Sequence, residues 1–181
     1  MAMANEQIAI FGGGCFWCIE AVFNRLRGVK EALSGYMGGH VDKPTYGQVC
    51  NGDTGHVEVV QVKFDSSEIS FRDLLEVFFA VHDPTTLNRQ GNDVGEQYRS
   101  VIFYTSDEQE REAEETIAAL NEAKAFPEPI VTAVEPAGEF FVAEGYHQEY
   151  FDNNRLQPYC QFVIAPKLKK FEKGFGEKMR A

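Results

Sequence analysis

Two cysteines stand three positions apart in Gly12-Gly13-Gly14-Cys15-Phe16-Trp17-Cys18, with two large rings between them and three glycines ahead. Thiols at that spacing can bind a metal, exchange with a disulfide, or act as a nucleophile and its resolving partner. A buried structural pair is the bland alternative, because free cysteine is among the most buried residue types. A zinc knuckle usually needs a second pair, and Cys50 and Cys160 stand singly, without histidines at ligand spacing. The glycines weigh against plain burial, since a run of them costs stability unless the backbone needs unusual angles or close approach. Reactive thiol chemistry is the strongest of the four readings.

The elements around the pair fit that chemistry. Gln7 to Phe11 reads as a strand and Cys15 to Arg27 as a helix, with Phe16, Ile19, Glu20, Phe23 and Arg27 at helical spacing. Strand, glycine turn and helix would set Cys15 beside the free amides of a helix start, where the dipole is expected to lower its pKa. Cys18, one turn on, would share its face. Phe16 and Trp17 would make an apolar wall suited to a small apolar group of a substrate.

Further along, Val29 to Ser34 reads as a strand, and His56 to Phe64 alternates with Glu58, Val60, Val62 and Phe64 on one face. If that face is the core side, the Glu58 carboxyl is desolvated and holds a proton near neutral pH. A strand-end glutamate reaching solvent is the other reading. Phe71, Leu74, Leu75 and Phe78 form the apolar stripe of a helix capped by Ser70. His82 to Gln97 has almost no periodicity and reads as a long polar loop, of the kind that is usually functional. Asp93 and Tyr98 there, and Tyr46 in Pro44-Thr45-Tyr46-Gly47, are candidate carboxylate and phenols, though such tyrosines more often simply pack. Arg99 to Thr105 predicts a strand, Ser106 to Gln109 a capping box opening a helix to about Leu120, and Ile130 to Val134 a strand. A last helix is expected around Phe140 to Phe151. Irregularly alternating strands and helices predict a two-layer α+β sandwich with a mixed sheet, with doubly wound α/β as competitor.

The whole 181-residue chain is expected to form one domain, with residues 1–5 and 168–181 peripheral. A net charge of -11 argues against binding a phosphate backbone. The basic run Lys167-Leu168-Lys169-Lys170 with Lys173 reads as a solvated helix face. No apolar run is long enough to span a bilayer, and Met1 to Glu6 lacks the regions of a signal peptide. The expectation is a cytoplasmic protein, without nucleic-acid or membrane partners, whose thiols are kept reduced.

Four segments, GGGCFWCIEAVF, SGYMGGHVDKPTYGQVCNGDTGHVEVVQVKFD, HDPTTLNRQGNDVGEQYRSVIFY and LQPYCQFVIAPK, closely resemble the A-type peptide methionine sulfoxide reductases, in family order from Gly12 to Lys167. The resemblance implies a ferredoxin-like core and reduction of the S epimer of methionine sulfoxide without cofactor or metal. It makes Cys15 the nucleophile, Glu58 the acid, Tyr46 and Tyr98 the phenols holding the sulfoxide oxygen, and Asp93 an orienting carboxylate. Phe16 and Trp17 become the pocket for the substrate methyl, and thioredoxin the expected reductant. Many members have glycine where this chain has Cys18, and many resolve the reaction with a cysteine in a glycine-rich tail. The tail here is lysine-rich, so spacing points to Cys18 as the resolving thiol, with Cys160 as alternative. A monomer is expected. Outside this family, a general thiol–disulfide oxidoreductase would reveal itself by reducing insulin, and a metal-binding interaction module by bound zinc.

Overall fold

The computed structural model describes residues 5–179. Most of the stretch read as lacking a signal peptide, and the last two residues, therefore lie outside the described residues. In chain order the elements are β1 (Glu6–Gly12), α1 (Phe16–Phe23), β2 (Val29–Met37), α2 (Tyr46–Cys50), β3 (Val57–Asp65), α3 (Phe71–Val81), β4 (Arg89–Gln90), β5 (Asp93–Val94), β6 (Val101–Tyr104), α4 (Asp107–Glu122), β7 (Ala133–Pro136), β8 (Phe141–Val142), α5 (Tyr150–Asn153) and α6 (Ala165–Phe175). Strands run in the order β7-β6-β1-β3-β2-β8 in one sheet. Its pairs are antiparallel except β6 with β7, which run parallel through the α4 crossover. The sheet is mixed and the class α+β; a doubly wound parallel sheet is not what forms.

The alternation read in β3 decides the layout. Val60, Val62 and Phe64 enter the larger core with Phe16, Ile19 and Phe23 of α1 and Leu74, Leu75 and Phe78 of α3. Val57 and Val59 point the other way, into a smaller cluster with Ile10, Met37, Val101 and Phe103. Glu58 therefore faces the helix-covered side and is 1% exposed. The register pairs it with Tyr36, in three residues of β2 beyond the expected end, which continue the strand because β3 offers them partners.

Elsewhere sequence and structure differ for local reasons. α1 stops at Phe23, not Arg27, because Asn24 caps it and the following amides make tight bonds to Val22 and Phe23 before Gly28 turns the chain at φ 93°. Ser70 caps α3 with the full reciprocal box, Asp73 returning the bond. Ser106 caps α4 by accepting from the Gln109 amide, but no reciprocal bond forms: the Gln109 side chain takes the Thr105 amide and donates to the Ile8 carbonyl instead. The expected strand at 130–134 is displaced to β7, since the Ile130 and Val131 amides are already bound to Asn121 and Pro84. The 82–97 loop is not structureless. Gly91-Asn92 turns a β4–β5 hairpin, and a 3-10 turn follows at Glu96–Tyr98. The helix expected at 140–151 is replaced by β8 at the sheet edge, a 3-10 turn at Gly145–His147 and the short α5.

Within the span read as peripheral, Leu168 and Phe171 of α6 are buried while Lys169, Lys170 and Lys173 face solvent. The chain then fastens onto α1's end, the Arg27 amide donating to the Lys178 carbonyl at 2.8 Å. Among the described residues no helix is long and apolar enough to cross a membrane.

Phe11 stacks on Phe23 and Phe78 at 5.2 and 4.9 Å between centroids, fully buried where β1 meets α1 and α3. Truncating it leaves a cavity that rigid strands cannot close. Phe11→Ala is expected to lower unfolding stability by about 3–5 kcal/mol, read from urea denaturation against wild type.

Candidate active site

Cys15 is delivered by the glycine turn. Gly14 has φ 90°, a region side chains rarely adopt, and a Cβ there would lie 2.6 Å from Gln90 Cγ. The Gly14 amide donates to the Tyr98 carbonyl at 3.1 Å, so the turn is docked onto the loop carrying the hairpin. Cys15 then holds extended angles, φ -65° and ψ 126°, as the residue preceding α1.

The Phe16 amide, one of the unpaired donors of the helix start, donates to Glu58 Oε1 at 3.1 Å. The second oxygen, Oε2, is buried and makes no hydrogen bond among the described residues. Burial pushes the Glu58 pKa up to about 8, helped by the charges of Asp93 and Cys18 and opposed by the Phe16 amide. At neutral pH the carboxyl is thus mainly protonated, within electrostatic reach of both thiols. The core-side reading of Glu58 holds.

The lowered pKa expected for Cys15 does not. Burial pushes it well above the ordinary thiol value, and a hydrogen bond with Cys18 and the Glu58 charge add to the rise; only the Trp17 backbone opposes. The helix start loses because Glu58 has claimed the Phe16 donor and the thiol has left water. Cys18 is the thiol that ionises more readily. Hydrogen bonding from Cys15 lowers its pKa first, against burial, and Lys167 and Tyr159 assist while Asp93 raises it. All four cysteines are free; Cys15, Cys18 and Cys160 are buried and Cys50 is exposed.

An aromatic shell closes around the pair. Phe16 is fully buried against Tyr36, Tyr46 and His147, with centroids at 5.7, 6.3 and 5.1 Å. Trp17 stays half-buried, stacked on Tyr150 at 3.7 Å and met edge-on by Tyr159. Its indole N–H donates to His147 Nδ1 at 2.9 Å, so the proton of the neutral imidazole sits on Nε2. Tyr46 opens α2 behind the Thr45–Gln48 capping box, and its backbone amide donates to Glu144 Oε2. The same carboxylate accepts from the Tyr36 hydroxyl at 2.9 Å. Tyr46 and Tyr98 both feel the Glu58 charge, though burial is the main cause of their raised pKa values. Asp93 accepts from the Tyr159 hydroxyl at 2.9 Å, and that hydroxyl lies 3.9 Å from Cys18 Sγ. Cys160 opens a π-helical turn, Cys160–Ile164, in the buried core and feels the Cys18 charge.

The structure therefore brings Cys15, Cys18, Glu58, Tyr46, Tyr98, Asp93, Phe16 and Trp17 to one place. Sequence reasoning misses Tyr36, Glu144, His147, Tyr150 and Tyr159. Three of these belong to the strap 143–150, which is held by long-range bonds: Gln148 bridges the Ser34 amide and carbonyl, and the Glu149 amide donates to buried Glu20. Tyr159 could have been found as the neighbour of Cys160. No group of three or more His, Cys, Asp or Glu is placed to hold a metal among the described residues. A groove of about 1020 Å³ between α3, α4 and α6 includes Phe79, Leu120 and Phe171 but neither Cys15 nor Glu58.

Comparison with known proteins places the whole chain in a family. The family described as peptide methionine sulfoxide reductase matches residues 7–179. The chain belongs to that family. It is 55% identical over 177 residues to the peptide methionine sulfoxide reductase MsrA of Deinococcus radiodurans, covering 98% of this chain and 86% of that protein. The Chromobacterium violaceum MsrA is 56% identical over 168 residues, covering 93% and 96%. Among solved structures, reduced Mxr1 from Saccharomyces cerevisiae has a TM-score of 0.80 at 34% identity, covering 88% of this chain and 91% of that one. The methionine sulfoxide reductase A of Corynebacterium diphtheriae gives 0.75 at 33% identity, covering 86% and 78%. This peptide methionine sulfoxide reductase is a thiol-dependent oxidoreductase, a peptide-methionine (S)-S-oxide reductase that returns oxidised methionine to methionine.

A raised carboxyl pKa has a signed effect on stability. The folded protein holds the Glu58 proton more tightly than the unfolded chain, so its contribution is complete below about pH 4.5 and is lost as pH rises through about 8. Glu58→Gln keeps an acceptor for the Phe16 amide and cannot ionise. Its melting temperature relative to wild type is expected to rise from pH 5 to about pH 8 and then level off, measured by calorimetry; a constant difference would mean that Glu58 titrates as in solvent.

Proposed function

We propose that Cys15 is the nucleophile, Glu58 the acid, and Cys18 the resolving thiol of methionine-(S)-sulfoxide reduction. The observation that carries this reading is the buried Glu58 carboxyl, held by the Phe16 amide through one oxygen with the other unbonded, next in the fold to the Cys15–Cys18 turn. A sulfoxide oxygen leaves poorly until protonated. Cys15 attacks the substrate sulfur as its own proton passes to the thiolate of Cys18, the more acidic member of the pair, which accepts a hydrogen bond from Cys15. Glu58 gives its proton to the sulfoxide oxygen, which ends as the hydroxyl of a Cys15 sulfenic acid while methionine leaves. Cys18 then displaces that hydroxyl as water, forming the Cys15–Cys18 disulfide, and an external dithiol reduces it by exchange. Tyr46 and Tyr98 hold the sulfoxide oxygen and Asp93 orients the substrate. Trp17, the half-exposed ring, faces the substrate methyl, with Phe16 backing it.

Thioredoxin is the proposed electron donor, in keeping with the solved complex of Mxr1 with Trx2 from Saccharomyces cerevisiae. The proposed protein is a cytoplasmic monomer acting on methionine sulfoxide in proteins, in peptides or free. Its chain is one domain with a ferredoxin-like two-layer core, a reading supported by the β6-β1-β3-β2 order of the central strands.

The test is a single turnover of reduced protein without external reductant, using resolved epimers of a blocked methionine sulfoxide. One methionine per chain is expected from the S epimer and none from the R epimer; no product from either would return the pair to general dithiol exchange. Cys15→Ser is expected to abolish turnover. Glu58→Gln, able to donate a hydrogen bond but no proton, is expected to lose about 100-fold in kcat and retain measurable activity. Peptide mapping of the oxidised protein is expected to find Cys15 joined to Cys18, and a Cys15–Cys160 bridge would overturn that assignment.

A further inference from the structure

In the proposed reduction of the sulfoxide, Cys18 ends the first step carrying a proton. It must lose that proton to attack the Cys15 sulfenic acid, yet it is 6% exposed and out of ready reach of water. The polar side chain that meets it, apart from Cys15, is the Tyr159 hydroxyl, 3.9 Å from Cys18 Sγ. That hydroxyl already directs its own hydrogen to Asp93 Oδ2 at 2.9 Å. Its oxygen is therefore free to accept from the Cys18 thiol, and the three groups form a chain with every bond in one direction: thiol to phenol, phenol to carboxylate.

We propose, resting on that reading of the reaction, that Tyr159, held by Asp93, is a further catalytic residue, which carries the proton of Cys18 away in the resolving step. The Cys18 S–H bond breaks as the phenol oxygen takes the proton and passes its own hydrogen to Asp93. The Cys18 sulfur supplies the electron pair of the new S–S bond, the Cys15 S–O bond breaks, and the departing hydroxide takes a proton from Asp93 and leaves as water. Cys18 is oxidised, the sulfenic sulfur is reduced, and no outside reagent enters. The groups facing Cys18 electrostatically are Cys15 on the same turn, Tyr159 and Cys160 beside the π-helical turn, Lys167 on α6, Asp93 on β5 and Glu58 on β3. Lys167 assists ionisation of Cys18 and Asp93 opposes it, so the carboxylate acts through the phenol rather than by its charge.

The assignment explains why Asp93 sits in a two-residue strand whose tight turn fixes its direction. It also gives Tyr159 a role that Cys160, its chain neighbour, does not share. The shell of Trp17 and Tyr150 excludes solvent from the thiols, which is what makes a built-in proton path necessary.

The experiment separates the two steps in single turnovers of wild type, Tyr159→Phe and Asp93→Asn between pH 6 and pH 9. Methionine formation reads the first step. Dimedone trapping of sulfenic acid and loss of free thiols read the second. In Tyr159→Phe, sulfenic acid is expected to accumulate after methionine appears, with disulfide formation about tenfold slower and its pH midpoint displaced upward. Asp93→Asn, which keeps the phenol but removes the final acceptor, is expected to slow methionine formation as well, because Asp93 orients the substrate, but to slow disulfide formation by a clearly larger factor, and serves if Tyr159→Phe does not fold. Disulfide formation at the wild-type rate with an unmoved pH profile in the variants would overturn the proposal, as would slowing of both steps by the same factor. Failure of the wild-type protein to form methionine would instead overturn the proposed function itself.

Discussion

The hydrogen bond from the Phe16 amide to Glu58 Oε1 joins the first turn of α1 to the middle of the sheet, and most of the site hangs on it. It satisfies a donor that the helix cannot pair internally, and it holds a carboxyl in a place where the carboxyl would otherwise be unstable. Because the donor is neutral, one such bond cannot keep the carboxylate charged against full burial, so the group stays protonated to about pH 8. The same contact takes one of the amides that a helix start offers a thiolate, leaving the Trp17 backbone alone to oppose the effect of burial on Cys15. Burial around this contact thus sets the protonation of both groups: an acid that has a proton to give, and a nucleophile that ionises only as it reacts.

The aromatic shell depends on a different kind of constraint. Trp17 is fixed by its bond to His147 and its stack on Tyr150, and both partners belong to a strap with little secondary structure of its own. The strap is held by Gln148 on the backbone of β2, by the Glu149 amide on Glu20, and by Glu144 on Tyr36 and the Tyr46 amide. Burial raises the Glu20 pKa to about 7, since the Glu149 amide only partly offsets the loss of water. Glu58 is therefore mainly neutral at pH 7 and Glu20, beneath the strap, only partly ionised, so this side of the sheet carries less negative charge than its composition suggests.

Legibility in the sequence follows the range of the forces involved. β3, α3 and α4 are readable because their periodicity is repeated over many residues and their caps are local. Glu58 is readable only as a conditional, and the register with β2 resolves the condition. The β4–β5 hairpin escapes because two-residue strands have no period to detect, although Gly91-Asn92 is a turn signal. The strap reads as a helix because its aromatic residues fall at helical intervals, while the bonds that hold it come from residues more than a hundred positions away. The direction of the Cys15 shift is missed because a dipole argument considers one end of one helix, and here burial and a neighbouring carboxyl outweigh it.

Trp17 is also the sole tryptophan of the chain. Its indole lies against a tyrosine ring, is bonded to an imidazole, and immediately precedes Cys18. The indole emission of the protein therefore originates entirely at the reacting centre. Every change of sulfur oxidation state there alters the surroundings of the one fluorophore, so the molecule carries its own optical indicator of where it stands in its cycle.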